Sequence, residues 1–254
     1  MASTYSTDTK LELITTGEKA GQWGGITNTN LQILEQVASG VLDVDMASGD
    51  VTLALTDGAT SNGKNQYLRL HGTLTANRTI TMPSGSDRVW IMKDDTSRNT
   101  TNNYTLGVLT ASGTTKKIPI GATVLCKSNG TQTLITILEK GVVGINNTYT
   151  PFAAVAGDQI FCDTSSNVIT VTLPSSPSTG DEVTIIDSRG NFNSNNVTID
   201  RNGSPIMSAT GNDVLDVNGQ SVTLIYIDEL EVGRISLIPN YSQHKEHKRW
   251  LFLK

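Results

Sequence analysis

From Val41 onward the chain is written in short alternations of apolar and polar residues: VTLALTDG, YLRLHG, TITMP, RVWIMKDD, YTLGVLT, KIPIG, TVLCKSNG and TLITILEKG. Successive side chains of an extended strand point to opposite faces, so each run predicts a strand with one face buried. Glycine, Asn-Gly and Asp-Gly punctuate the runs at intervals of roughly 8–12 residues, the spacing of an all-β sandwich or barrel. Several strands, VTIIDS, VTLIYID and TLITILEKG, carry apolar residues on both faces. A sheet with one face in water would alternate cleanly, so these strands want cover from a second sheet or a neighbouring subunit.

Residues 1–40 follow another pattern. Lys10–Thr16 alternate enough for a short extended segment, and Gln22-Trp23-Gly24-Gly25 reads as a turn. Leu31, Leu34 and Val37, with Ile33 beside them, then fall at helical spacing. Asn28 or Asn30 is the expected N-cap and Gly40 the expected stop. A helix of about ten residues is marginal alone, so its apolar stripe must be covered by another surface. Trp23 is the one large ring in a stretch of Gly, Thr and Asn that lacks the apolar mass to bury it. Either it packs on Leu31 and Leu34, or it anchors a partner, as buried indoles do at interfaces; both hold together if the segment still needs an outer partner.

The second half repeats the plan of the first. TITMPSGSDRVWIMKDDTS (79–97) matches VTLPSSPSTGDEVTIIDSRG (171–190), NNYTLGV (102–108) matches SNNVTIDR (194–201), and IPIGATVLCKSNG (118–130) matches LDVNGQSVTLIYID (215–228). This alignment places Pro83 with Pro174, Thr105 with Thr198 and Gly121 with Gly219, with insertions confined to loops. The expected organisation is a docking segment over 1–40, a first β module over 41–145, a second over 146–240, and a tail over 241–254. The expected fold is mainly β, two tandem sandwich-like or barrel-like modules behind a short helical segment.

Composition narrows the function. Charged residues make up only 17% of the chain and the net charge is −5, which argues against nucleic acid, since phosphate binding needs a basic face. The one basic cluster, His244 to Arg249, reads as a solvated tail, and the Trp250-Leu251-Phe252-Leu253 behind it is apolar enough to pack on something. Cys126 and Cys162 stand far apart, each within a strand-like run, and are expected as buried free thiols rather than a metal motif or disulfide framework. No apolar run approaches the ~18 residues of a membrane span.

Catalytic constellations are missing. His71 stands alone, His244-x-x-His247 lacks a third ligand, and there is no nucleophile elbow or phosphate-cradling loop. Asp94-Asp95 and Asp181-Glu182 are adjacent pairs; neighbours on a strand face opposite ways, so they read as turn formers rather than a glycosidase dyad. DSRGNFNSNN (187–196) is oxygen-rich but lacks the acidic spacing of a calcium loop. Trp90, Tyr104, Phe192 and Tyr226 offer rings for sugar stacking, with Trp90 better placed for a core. The expectation is a non-enzymatic chain that needs no cofactor or metal.

The stretch TGEKAGQWGGITNTNLQILEQ resembles the N-terminal segment found on virion proteins of tailed bacteriophages, particularly marine ones, and carries its pattern on Thr16, Gly17, Glu18, Gly21, Trp23, Gly24, Thr27, Asn28, Asn30 and Leu31. The second β unit, ITVTLPSSPSTGDEVTIIDSRGNFNSNNVTIDRNGSPI, is similar to a module of phage tail-fibre and appendage proteins. The resemblance implies a structural virion component assembled in the host cytoplasm, homotrimeric, docking to other virion proteins through its N-terminus and supporting host attachment. Trp23, Gly24, Thr27, Asn28, Asn30, Leu31 and Leu34 are then the docking residues. A capsid-decoration or head-fibre protein is the alternative, and a polysaccharide depolymerase or lectin-like tip binding host surface glycan is a further one.

Overall fold

The computed structural model describes residues 3–84, 87–98, 104–111, 113–129, 131–227 and 249–253. They fall into two units, one running to Glu139 and the other starting at Lys140.

In the first unit, β1 (Thr4–Tyr5) and β2 (Glu12–Leu13) form a small antiparallel hairpin, followed by helix α1 (Trp23–Ser39). Then come β3 (Val41–Asp45), β4 (Val51–Thr52), β5 (Tyr67–Leu74), β6 (Arg78–Met82), β7 (Arg88–Arg98), β8 (Leu106–Thr110), β9 (Lys116–Ile118), β10 (Thr123–Ser128) and β11 (Thr133–Glu139). From β3 through β8, consecutive strands do not pair with one another. β3, β5 and β7 run parallel in one sheet, and β4, β6 and β8 run parallel in another, so the chain crosses between sheets at every corner. This is a short β-solenoid. Antiparallel β10 and β11 finish the first sheet and β9 finishes the second.

The second unit uses the same order. Its strands are β12 (Val142–Asn146), β13 (Phe152–Ala153), β14 (Gln159–Asp163), β15 (Ile169–Thr172), β16 (Glu182–Asp187), β17 (Val197–Asp200), β18 (Asp213–Leu215), β19 (Ser221–Ile227) and β20 (Arg249–Leu253). One sheet reads β12-β14-β16-β19-β20 and the other β13-β15-β17-β18, parallel in the coils and antiparallel at the end.

The fold is thus mainly β, and it corrects the expected sandwich or barrel modules. Both architectures need alternating strands and frequent turns; they differ in whether a turn folds the chain back beside the same strand or carries it to the opposite sheet. The corner chemistry does the latter. Asp45, Asn146, Asp163, Asp187 and Asp200 each end a strand and accept the amide two residues on, at 2.9–3.1 Å, and Asp94 does the same at 3.0 Å within β7. These Asx turns bend the chain without the two left-handed residues of a tight hairpin. Of the acidic pairs read as turn formers, Asp94 and Asp95 instead lie within β7 and Glu182 opens β16, while Asp181 accepts the Ser178 amide in the turn before that strand.

The structure also shifts one part of the expected alignment. Arg78 donates its amide to Thr105, and Ile169 donates its amide to Asn196, so Asn196 rather than Thr198 is the counterpart of Thr105.

In the first unit Leu68, Leu70, Trp90, Met92, Val124 and Cys126 from one sheet meet Leu53, Ile80, Met82, Leu106 and Val108 from the other. The Trp90 indole is fully buried and donates to the Gly63 carbonyl at 2.9 Å. Phe192 and Tyr226 are buried as well, and half-buried Tyr104 packs on the core. Both cysteines are buried free thiols.

Each coil stack is locked at its antiparallel end by one carboxylate. Asp187 accepts amides from Arg189, Gly190, Asn191 and Phe192 of its own corner and, at 2.9 Å, from Gly219 in the turn before β19. Asp94 is its counterpart: buried, bonded to Thr96 and Arg98, and reaching Gly121 in the turn before β10. Gly121 and Gly219 sit at φ of 72° and 74°, where a side chain would be strained.

Candidate docking site

Helix α1 spans 17 residues, longer than the pattern predicted. The helix starts at Trp23, with Gln22 as its N-cap and no side-chain cap bond, so the expected capping by Asn28 or Asn30 is corrected. Both lie inside the helix. Gly40 closes it, donating to the Gln36 carbonyl at 3.0 Å. A Cβ on Gly40 would stand 2.3 Å from that carbonyl oxygen, so only glycine fits the passage from helix to β3.

The helix is held against its own unit by two side-chain amides. Asn30 accepts the Glu12 amide at 3.0 Å and donates to the Glu12 carbonyl at 2.9 Å, pairing with β2 as a neighbouring strand would. Gln36 does the same to Ser61, accepting at 3.3 Å and donating at 3.0 Å. Between them Ile33 is fully buried, while Ile26 and Val37 are half-buried. The inward stripe is therefore Ile26, Asn30, Ile33 and Val37.

The expected docking residues divide on this geometry. Trp23 is 64% exposed, Leu31 58% and Leu34 45%. With half-buried Thr27 and exposed Ala38 they fall at positions 23, 27, 31, 34 and 38, a second helical stripe beside the inward one. Gly24 and Asn28 are exposed, and among the described residues nothing beyond the neighbouring helix backbone lies within 4 Å of where a Cβ on Gly24 or Gly25 would stand. Trp23 does not fold back onto the protein's own core. Asn30 is the exception: its amide is spent on β2 and faces inward. Periodicity alone could not separate it from the outward residues, because the hairpin that it binds is set by tertiary contact. Gln36 was not singled out in the sequence, and only its partner Ser61 reveals its role.

Charge around the helix is sparse. Glu12 lies beneath it, and Ser3 and Lys19 hold its carboxyl below the usual range, the Ser3 hydroxyl contributing most. Elsewhere in the unit Lys64 is fully buried, its ammonium bonded to the carbonyls of Thr56 and Ala59 at 2.7 and 2.5 Å, and burial followed by the nearby Arg88 pushes its pKa down. Arg88 lies 5.6 Å from the centre of the Trp90 ring and donates to the Lys64 carbonyl. These cations brace the 56–65 loop against the core.

Among the described residues no group of three or more His, Cys, Asp or Glu could hold a metal ion, and no helix is long and apolar enough to cross a membrane. His71 is half-buried on β5, and the basic residues at 244–248 lie outside the described residues.

No family model matches the chain, and no curated protein matches it. A solved structure described as "Structure of a chaperone-substrate complex" is similar over 74% of this chain and 31% of its own, at 14% identity and a TM-score of 0.34, so this chain spans about a third of that one.

Proposed function

We propose that this protein is a structural virion component of a tailed phage, a tail-fibre or fibre-like appendage protein that docks to the particle through α1 and supports host attachment. The observation that carries the reading is the outward stripe of α1. An indole and two leucines stand in solvent on a helix whose other face is already pinned, at the motif that resembles phage virion segments. A partner with an apolar groove and little charge suits that stripe, since Glu35 is the helix's one charged residue.

Homotrimerisation belongs to the same proposal, and the two units supply an internal comparison that supports it. Across the outer face of the first unit's sheet, register aligns Val41, Tyr67, Ile91 and Leu125 in one row. The corresponding row of the second unit is Val142, Gln159, Thr184 and Thr223, where the two threonine hydroxyls bond at 3.0 Å. Val occupies the first place in both rows, but the other three places are apolar in the first unit and polar in the second, as expected if only the first is covered by neighbouring copies.

The test is incorporation. Phage assembled with the triple variant Trp23→Ala/Leu31→Ser/Leu34→Ser should yield particles lacking the protein, while the purified variant keeps wild-type circular dichroism and melting. Normal incorporation of a folded variant would refute docking through this stripe. Reconstruction of the wild-type particle distinguishes a tail from a head position.

A further inference from the structure

The two units close the same corner of the coil with loops of different length. Leu53 donates its amide to Thr81 in the first unit, as Ala154 donates to Thr172 in the second. Gln66 then accepts the Ile91 amide, as Asp158 accepts that of Thr184. Between these matching anchors the first unit holds twelve residues, 54–65, and the second only three, 155–157. Three residues therefore suffice to carry the chain from one sheet to the other. The longer loop answers to something else.

Its contacts say what. Ser61 gives both of its backbone groups to the Gln36 side chain of α1. Gly58 donates to the Lys10 carbonyl of the β1–β2 hairpin at 2.8 Å, and a Cβ on Gly58 would stand 2.9 Å from the Tyr5 ring. The hairpin in turn holds Asn30 of α1 through Glu12. At its base the loop is tied to β7, where Trp90 donates to the Gly63 carbonyl and Arg88 to the Lys64 carbonyl. Lys64 crosses the loop from within: its buried ammonium bonds the carbonyls of Thr56 and Ala59, which bracket Gly58 and lie just ahead of Ser61.

We propose that loop 54–65 is the seat of the docking helix and that Lys64 is a positioning residue for docking. It fixes the limb of the loop that holds hairpin and helix, so the outward stripe of Trp23, Leu31 and Leu34 is presented only by a first unit whose β7 has packed. Helix α1 needs such a seat. It begins with two glycines after Trp23, and Ile33 is its one fully buried residue, so neither propensity nor burial sets its pose. Because the seat is tied to residues 88 and 90, a chain not yet folded through β7 is left out of the particle. The proposal rests on docking through α1.

Native-state hydrogen exchange on the full chain tests the seat. In the wild type, amides of α1, the hairpin and residues 54–65 should open together, more readily than the ladders of β5, β7 and β10. Lys64→Met keeps the length of the side chain but removes both carbonyl bonds. It should speed exchange of that shared set about tenfold and leave the ladders unchanged. Gln36→Ala should also speed α1, and the combined effect with Lys64→Met should fall well short of the product, since both act through Ser61. Separate opening of helix and loop in the wild type overturns the proposal, and decides it alone if Lys64→Met does not fold. So does an unchanged α1 in folded Lys64→Met, or a combined effect equal to the product.

Uptake into particles tests the link to docking. Asn30→Ala/Gln36→Ala/Lys64→Met removes the clamps and keeps every stripe residue. Its uptake should fall about tenfold, as the seated fraction of α1 falls. Full uptake with α1 released overturns the positioning role. Failure of docking itself reads differently, as full uptake of the stripe variant Trp23→Ala/Leu31→Ser/Leu34→Ser assembled beside it.

Discussion

At the scale of the residue, Asp187 shows how one side chain can hold two loops. Burial opposes its ionisation, yet the amides of Gly219, Arg189, Asn191 and Gly190 together outweigh that and leave its carboxyl below the ordinary range. A group depressed on folding stabilises the protein above its unfolded pKa of about 3.9, and the contribution is lost as pH falls through the folded value. Asp187→Ala should therefore cost on the order of 2 kcal/mol in urea unfolding of the second unit at pH 7, with the gap to wild type narrowing as pH falls below the unfolded value of about 3.9. Cys126 and Cys162 make a different case, since burial pushes both thiols up to about 12, Cys162 with a further push from Asp187. Neither should react with a thiol reagent at pH 8 in the native protein, and both should react in denaturant; mass spectrometry reads the difference. Gly40→Ala should lower the melting temperature sharply because its methyl group meets backbone rather than a flexible side chain.

At the scale of the element, helix α1 carries two stripes with separate duties. Gly24 and Gly25 cost the isolated helix roughly 1 kcal/mol each relative to alanine, and among the described residues nothing beyond the helix itself fills the space that they leave. Gly24→Ala should therefore raise the stability of the free protein by a few tenths to 1 kcal/mol while weakening incorporation into particles, if a partner's backbone approaches there. Equal stabilisation with unimpaired incorporation would show that the space serves no partner. Asn30→Ala should act oppositely, loosening α1 from β2 because both bonds of its amide are internal. How far the sequence exposed this element is clear from those residues. Its existence, its end at Gly40 and the exposure of Trp23, Leu31 and Leu34 follow from spacing and local apolar mass. Its start and the inward turn of Asn30 do not, because they depend on a hairpin and a loop distant in sequence.

At the scale of the whole molecule, the two units offer the same fold with different outer faces. Ile91→Arg in the first unit should leave melting nearly unchanged and convert a self-associated protein to single chains in light scattering. Thr184→Arg, at the matching place in the second unit, should change the association state little. If both substitutions behave alike, the apolar row is not an interface between copies.

The sequence by itself determined the β character, the buried alternation of each strand, the Asx corners and an apolar helix stripe that its own segment is too small to hide. These depend on local periodicity and on what each side chain can do to neighbouring backbone. Only the tertiary structure decided that consecutive strands go to opposite sheets, that Asp94 and Asp187 reach turns about thirty residues away, and that Asn30 faces inward. A strand's inward face looks the same whether its neighbour is a hairpin partner or the next coil. The choice between them is made by contacts that exist only once the distant strands have met.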